Sequence, residues 1–496
     1  MTERAKKAKI LFAASECAPF VKTGGLADVV GALPVALARH GYDVRVVLPL
    51  YKQIRRAYND RMTHASDGSI RLGWREQFLG IEELKKNGVT YYFIDNEYYF
   101  ARDYIYGVFN CYEAERFGFF SKAILELMAR LDFYPDILHL NDWQTGMAAA
   151  LLKTQYADKP GYARVKSLFT IHNLRFQGVF ERGFVDELLS LGPIAFDPDA
   201  LEYCGNVSYM KGGLAFADAI NTVSPTYAAE IQTSFFGETL DGLLRARGGK
   251  LTGILNGIDT KEYDPAADKA LPANFSAGSM EGKKLCKAAL QQELCLAQDP
   301  GAPILAIVSR LTGQKGLDLV ERVLFEMMEK PVQLAVLGTG GAHYEGFFNW
   351  VQKRFPGRAA ARIEYNEGLA RRIYAGADLF LMPSLFEPCG LAQLIAMRYG
   401  AIPIVRETGG LKDSVKGYNQ CEDTGVGFSF PNYNAHELLY TVQRAVDYCR
   451  NDPAMWQRLV ERAMGEDFSW KIRARDYERL YGQLTIGDGR IISAPT

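Results

Sequence analysis

Nowhere in its 496 residues does the chain hold an uncharged apolar run near the roughly 20 residues that a membrane-crossing helix needs, so a spanning segment is not expected. Only Met1–Lys9 precedes the first strand-like run, too short and too charged for a signal or transit peptide, and secretion is not expected either. The eight cysteines are scattered without a C-x-x-C pair or metal-ligand spacing, and several, such as Cys286 and Cys295, lie in helix-like stretches. They read as reduced thiols of a cytoplasmic protein. An excess of one charge is missing too: 57 Lys and Arg stand against 58 Asp and Glu. That balance argues against a broad electrostatic grip on nucleic acid or an anionic membrane, while leaving a local phosphate site open.

What is present is apolar residue in quantity, 48% of the chain, enough for two full cores. Ile10–Ala14, Val44–Leu48, Thr90–Ile94, Ile137–Leu140, Leu168–Ile171 and Ala219–Val223 are continuous apolar runs, as strands buried on both faces of a parallel sheet should be. Helical spacing over Leu26–Arg39 and Glu113–Ala129 between them makes βαβ units the expected fold. From Tyr263 to Gln298 the rhythm breaks at Asp264-Pro265, Leu271-Pro272, Gly278 and Gly282, and its start reads as a domain hinge. The alternation then resumes with strands at Ile304–Val308, Gln333–Leu337, Leu379–Met382 and Ile402–Val405 and helices at Leu317–Met328 and Leu391–Arg398. The class is therefore α/β, with two doubly wound domains, 1–263 and 264–469, facing each other across a cleft. Residues 470–496 hold a last helix expected to cross back to the first domain.

In such sheets ligands sit beyond the carboxyl ends of the strands, which directs attention to loops. Two glycine loops echo each other, Lys22-Thr23-Gly24-Gly25-Leu26 and Thr408-Gly409-Gly410-Leu411, each between a strand-like run and a helix-like one. Each can aim backbone N–H groups and a positive helix end at an anion, so one phosphorylated ligand held by both domains is expected. In Ser309-Arg310-Leu311-Thr312-Gly313-Gln314-Lys315-Gly316, Arg310 offers a planar fork and Lys315 a compact charge, a pair suited to a diphosphate. A solvated basic turn is the plain alternative for either residue alone. In Phe386-Glu387-Pro388-Cys389-Gly390-Leu391 a carboxylate precedes a helix start, so Glu387 can accept from sugar hydroxyls while Cys389, Gly390 and Leu391 donate from the backbone. A glutamate merely favoured by the helix dipole would look the same.

Thr170-Ile171-His172-Asn173 and His139-Leu140-Asn141-Asp142-Trp143 close two further buried strands with polar groups that need partners, which a sugar could provide. A histidine satisfied within the core is the alternative there. Asn256, in Leu255-Asn256-Gly257, is either a sugar contact or a turn residue. Val336-Leu337-Gly338-Thr339-Gly340-Gly341 is half a dinucleotide fingerprint, but His343 stands where the third glycine belongs, so it reads as strand-to-helix packing and not as an NAD site.

Four of these stretches, 22–29, 309–316, 387–391 and 408–411, occur in the order and with the wording of the bacterial glycogen synthases, and the chain resembles that family, which is shared with plant starch synthases. The resemblance implies a GT-B fold and transfer of glucose from ADP-glucose to the non-reducing end of an α-1,4-glucan, with retention and with neither metal nor other cofactor. It further implies that Lys22 touches the nucleotide sugar in the loop of Gly24 and that Gly25 offers its amide to the diphosphate. Arg310 and Lys315 would neutralise the departing ADP; Glu387, His172 and Asn256 would fix the glucosyl ring, with Cys389, Gly390 and Leu391 giving mainly N–H groups. Asp142 would be a cleft carboxylate near the sugar, Thr408 part of the second glycine loop, and Tyr365 a platform for adenine unless it is simply a packed aromatic.

One departure is visible. Many retaining GT-B transferases carry a second glutamate eight positions after the first, where this chain has Ile395, and Gln393 is the nearest polar group, which leaves the usual ribose contact unassigned. The expected partners are ADP-glucose and an α-1,4-glucan, with no nucleic acid and no membrane; residue pattern alone does not rank ADP-glucose over UDP-glucose or fix an oligomeric state. A phosphorylase would need a pyridoxal-phosphate lysine and a much longer chain, and a non-catalytic glucan scaffold would have no use for Arg310, Lys315 and Glu387 together. Closure about the hinge near Tyr263 is expected to exclude water from the reaction.

Overall fold

The computed structural model describes residues 8–486; most of the Met1–Lys9 segment and the end of the 470–496 stretch lie outside it. The chain divides into two compact units. The first comprises the described residues up to Val223, Ala228–Ile254 and Trp470–Ile486; the second comprises Ser224–Tyr227 and Leu255–Ser469. The division thus falls at Ile254, ahead of the composition-based boundary at 263, and Asn256 belongs to the second unit.

A nine-stranded sheet forms the centre of the first unit, in the order Leu251–Gly253, Ala219–Thr222, Lys166–Ile171, Ile137–Asn141, Lys9–Ala13, Asp43–Pro49, Val89–Asp95, Arg75–Lys86, Thr63–Leu72. The first seven are parallel, and they contain all six apolar runs singled out from sequence. The last two form an antiparallel hairpin that the sequence did not announce. Its outer strand, Thr63–Leu72, exposes most of its side chains, so polar residues occupy it without cost and no apolar run marks it. Helices Gly25–Arg39, Cys111–Arg130 and Trp143–Thr154 cover the sheet. Chain order reverses between Lys9–Ala13 and Ile137–Asn141, so the loops after these two strands flank the topological switch point.

The helix Trp470–Ile486 belongs to this unit and lies along Gly25–Arg39. Its buried Tyr481 hydroxyl is 2.8 Å from His139 Nδ1, and the Tyr477 hydroxyl accepts from Asn221 Nδ2 at 3.2 Å. Glu478 meets His40 Nδ1 at 3.0 Å.

The second unit holds a six-stranded, all-parallel sheet in the order Ala359–Arg362, Gln333–Leu337, Ile304–Val308, Leu379–Met382, Ile402–Arg406, Phe428–Phe430. Its switch point lies between Ile304–Val308 and Leu379–Met382. The irregular stretch after Tyr263 is fastened to this unit: the Tyr399 hydroxyl donates to Asp268 Oδ2 at 2.5 Å. Lys283, at the start of helix Glu281–Glu293, gives its ammonium protons to the carbonyls of Ala375, Ala377 and Tyr399 at 2.8–3.0 Å. Burial pulls the Lys283 ammonium down to about 8. All eight cysteines are free, and Cys295 falls just past the end of its helix rather than inside it. Among the described residues no helix is long and apolar enough to cross a membrane.

Candidate active site

Adjacent strands at the switch point of the second unit carry the two charged loops to one place. The loop Ser309–Gly316 leaves Ile304–Val308, and the loop Pro383–Leu391 leaves Leu379–Met382. Leu385 N donates to Gln314 O at 2.9 Å, and Gln314 Nε2 to Phe386 O at 3.4 Å. Gly316 has φ +69, and a Cβ there would stand 2.0 Å from the Pro383 carbonyl oxygen, so only glycine lets these loops approach this closely. As a result Lys315 Nζ sits 2.6 Å from Glu387 Oε2, which also accepts from Ser384 Oγ at 3.1 Å. Arg406, from the next strand, braces the same loop by donating Nε to Ser384 O at 2.8 Å and Nη2 to Leu385 O. Arg310 is exposed, and no described residue pairs with its guanidinium. The glycines of the half fingerprint pack on this loop: Cβ atoms at Gly338 and Gly340 would strike the carbonyl oxygens of Ser309 and Leu311. Their role is close backbone approach to this neighbouring loop, in place of the strand-to-helix packing expected from sequence.

Past Glu387, Cys389 is buried, Gly390 takes φ +73 and Leu391 precedes the helix Ala392–Arg398. Gln393 is fully buried and its Nε2 lies 3.0–3.1 Å from Cys389 O, Gly390 O and Ser414 Oγ, so it shapes the loop from behind, while its Oε1 has no hydrogen-bond partner among the described residues. Asn256 is 3% exposed, and its Oδ1 has no hydrogen-bond partner among the described residues, an uncommon state that a simple turn residue does not require. Tyr365 is 80% exposed, which removes the packed-aromatic alternative.

The second glycine loop departs from the expected anion cradle. Thr408 is wholly buried and its N–H goes to Arg406 O, while Gly410 N donates to the carbonyls of Glu387 and Pro388 at 3.1 and 3.2 Å. Gly409, at φ +44, would place a Cβ 2.0 Å from Glu387 O, and Gly410 one 2.2 Å from Cys389 O. These glycines seat the Glu387–Cys389 backbone, and at Gly410 the amide proton is already used.

The first unit carries the other candidates. Lys22 lies in an exposed loop and pairs with Asp28 at 2.7 Å, in the first turn of helix Gly25–Arg39. A Cβ at Gly24 would meet nothing within 4 Å, and the backbone there is extended, so this loop keeps its glycine without being packed by protein. Glu16, which no spacing rule picks out, is 3% exposed and holds the loop from beneath: Thr23 N donates to it at 2.5 Å, and Thr23 Oγ1 lies 2.9 and 3.0 Å from its two oxygens.

Across the switch point, Asp142 has φ +56 and ψ −179, a region almost reserved for glycine, and strain of this kind gathers at functional sites. Its Oδ1 accepts the N–H groups of His172 at 2.7 Å and Asn173 at 3.4 Å. Burial nonetheless raises its carboxyl to about 7, with the nearby charge of Glu16 adding to the rise. His172 Nε2 stands 3.0 Å from Asn141 Oδ1, while Asn141 Nδ2 donates to Ala13 O and His139 O. That orientation places the proton on Nε2. Burial holds the ring neutral, down to about 3, so Nδ1 is left as a lone-pair acceptor suited to a hydroxyl. His139 and Thr170, by contrast, need no sugar: they bond each other at 2.6 Å and reach Tyr481 and Asn221.

Comparison with known proteins gives this arrangement its context. Residues 9–246 match the starch synthase catalytic domain, and residues 296–463 match glycosyl transferases group 1. The chain is 52% identical over 476 residues to a glycogen synthase of Geobacillus thermodenitrificans, covering 96% of this chain and 98% of the relative. It is 51% identical over 475 residues to one of Bacillus cereus, covering 96% and 99%. Among solved structures, the catalytic domain of starch synthase IV from Arabidopsis thaliana, bound to ADP and acarbose, superposes with a TM-score of 0.89 at 34% identity, covering 97% of this chain and all of that one. Sucrose-phosphate synthase from Thermosynechococcus elongatus, at 18% identity and a TM-score of 0.61, shares the fold. With both sheets, both charged loops and nearly the whole length matched, the chain belongs to the glycogen synthase family, glycosyltransferases of the GT-B fold that include the starch synthases.

Proposed function

We propose that the enzyme transfers glucose from ADP-glucose to the non-reducing end of an α-1,4-glucan with retention at the anomeric carbon. The observation that carries this reading is the Lys315–Glu387 pair at the switch point, with the unpaired Arg310 fork on the same loop as Lys315. A cation beside a carboxylate can serve the two ends of one sugar phosphate: the cations take the diphosphate oxygens and the carboxylate takes sugar hydroxyls. In this reading Arg310 and Lys315 stabilise charge as the bond from glucose to the diphosphate loosens, an electrostatic term of the kind that dominates such catalysis.

Glu387, the neutral acceptor Nδ1 of His172 and the unsatisfied Oδ1 of Asn256 fix the glucosyl ring, aided by the amides of Cys389, Gly390 and Leu391. Asp142 stands near the sugar, Lys22 with Gly24 and Gly25 contacts the nucleotide sugar, and Tyr365 stacks on adenine. Thr408 contributes as the buried start of the loop that seats Glu387. The acceptor hydroxyl attacks on the face the leaving group departs from, and a phosphate oxygen takes its proton, so no carboxylate nucleophile is needed. Trapping a covalent glucosyl-enzyme would overturn that route. The cytoplasm is the compartment proposed for this reaction.

Glucose incorporation into glycogen, measured with ADP-glucose and UDP-glucose side by side, tests the reading; incorporation from neither donor would refute it. Lys315→Ala should lower turnover by about a hundredfold or more at saturating donor. Unchanged turnover would remove Lys315 from the transition state.

A further inference from the structure

Beneath the Lys22–Gly25 loop lies a buried carboxylate that none of the roles above uses. Glu16 follows the strand Lys9–Ala13 at the switch point of the first unit, and a carboxylate this buried needs several donors to remain there. It has them from two directions. Thr23 supplies its N–H and its hydroxyl, and the Tyr106 hydroxyl donates to Oε1 at 2.7 Å. The proton on Tyr106 being committed to Glu16, its oxygen accepts from the fully buried Ser15 Oγ at 2.9 Å. Gly107, the next residue, donates its N–H to Glu113 at 3.3 Å, and Glu113 is itself held by the buried Arg116 at 2.9 Å. One carboxylate therefore ties the exposed loop that bears Lys22 to the helix Cys111–Arg130 by way of Tyr106.

Lys22 pairs with Asp28, but the middle of the loop is bare: the backbone of Gly24 is extended, no described atom would meet a Cβ there, and the helix that follows has no side-chain cap, so Thr23 is where Glu16 grips it. We infer that Glu16 is a positioning residue that holds the Lys22–Gly25 loop in the conformation that receives the nucleotide sugar, with Tyr106 holding Glu16. This rests on the proposed function for what the loop receives, though not for the anchor itself. Removing the anchor costs the donor its preset loop, so donor KM rises; because Glu16→Gln also removes a charge felt by Asp142, Tyr106→Phe and Thr23→Val, which keep that charge, carry the comparison of donor with acceptor KM.

Hydrogen exchange of the segment spanning Cys17–Leu26, in the ligand-free protein, reads the anchor without reference to activity. Glu16→Gln and Tyr106→Phe should both speed exchange there, and donor kcat/KM should fall by about tenfold or more, as small misplacements of binding groups do. The KM for glycogen should stay near wild type in Tyr106→Phe, while its melting temperature falls by a few degrees because buried Glu16 and Ser15 each lose a partner. Combining Glu16→Gln with Thr23→Val should cost less than the two separate losses added, because both cut the same link. Should Glu16→Gln fail to fold, Tyr106→Phe and Thr23→Val carry the same comparison. Unchanged exchange in a folded variant overturns the inference, as does faster exchange with an unchanged donor KM. A wild type that transfers glucose from neither donor refutes the proposed function instead, and the exchange result then still decides whether Glu16 is the anchor.

Discussion

The two glycine loops share the tetrapeptide Thr-Gly-Gly-Leu and do opposite things with it. At Thr23–Leu26 the first three residues are exposed, Gly24 has open space where a side chain would grow, and Thr23 is held by Glu16. At Thr408–Leu411 all four residues are buried, and both glycines stand where a Cβ would collide with the backbone of Glu387–Cys389. The first loop is glycine-rich so that something other than protein can approach it. The second is glycine-rich so that protein can approach itself, and the beneficiary is Glu387. A glycine motif thus states that the backbone must be bare, and only the neighbours tell for whom.

The sharpest way to break this contrast is Gly409→Ala. The substitution forces a φ of +44 on a residue with a Cβ and aims that Cβ at a carbonyl oxygen, neither of which a flexible side chain can relieve. Strain and backbone collision together should cost at least about 3 kcal/mol, lowering the melting transition of the second unit by about 6 °C or more in calorimetry. Glucosyl transfer should fall with it, because Glu387 loses its seat. A variant that melts like wild type would mean that the second loop is as free as the first.

The neighbours of the two loops differ in charge as well, and pH separates them. In the second unit Glu387 is compensated by Lys315, whereas in the first Asp142 is raised to about 7 by burial. A carboxyl whose folded value lies above its unfolded value of 3.8 stabilises the fold below that lower value and loses this contribution as pH rises through about 7. Asp142→Asn cannot ionise, so its melting temperature should gain on wild type as pH goes from 5 to 8 and level off above that, by about 1–3 kcal/mol in all. His172, neutral in the fold but protonated below about 6.5 once unfolded, makes wild type and variant alike gain stability as pH rises toward 6.5, and so cancels in their difference. A difference between Asp142→Asn and wild type that stays flat from pH 5 to 8 would show that burial does not govern Asp142.

Much of this was legible in the chain. Continuous apolar runs located the inner strands of both sheets because parallel strands covered on both faces leave no polar register to hide them, and the charged loops followed from their carboxyl ends; the short edge strands Leu251–Gly253 and Ala359–Arg362 were not read. The hairpin Thr63–Leu72 with Arg75–Lys86 escaped because its outer strand is largely solvated. Phe428–Phe430 escaped because three residues carry no period. Glu16 was invisible for a different reason: its donors come from seven and from ninety residues away, and one carboxylate without a companion forms no motif. His139 was visible but ambiguous, since its partner Tyr481 arrives from a helix hundreds of residues later.

The smallest effect is also the most discriminating, because it concerns a glycine that the protein's own packing does not need. Gly24 has φ −160 and ψ −168, extended backbone that alanine adopts freely, and nothing within 4 Å of the added carbon. Gly24→Ala should therefore leave the melting temperature within the change expected of about 0.5 kcal/mol, the usual scale for surface substitutions free of special features. What it should alter is the approach of a ligand to the loop amides: a methyl group on that surface keeps a phosphate from closing to hydrogen-bond distance. Donor KM should rise by about threefold to tenfold with turnover at saturation nearly unchanged, a loss of about 0.6–1.4 kcal/mol confined to binding. A fall in stability comparable to that of Gly409→Ala would place both loops in the same structural class. An unchanged donor KM would show that the bare backbone at Gly24 serves no ligand, and the first loop would lose its claim on the nucleotide sugar.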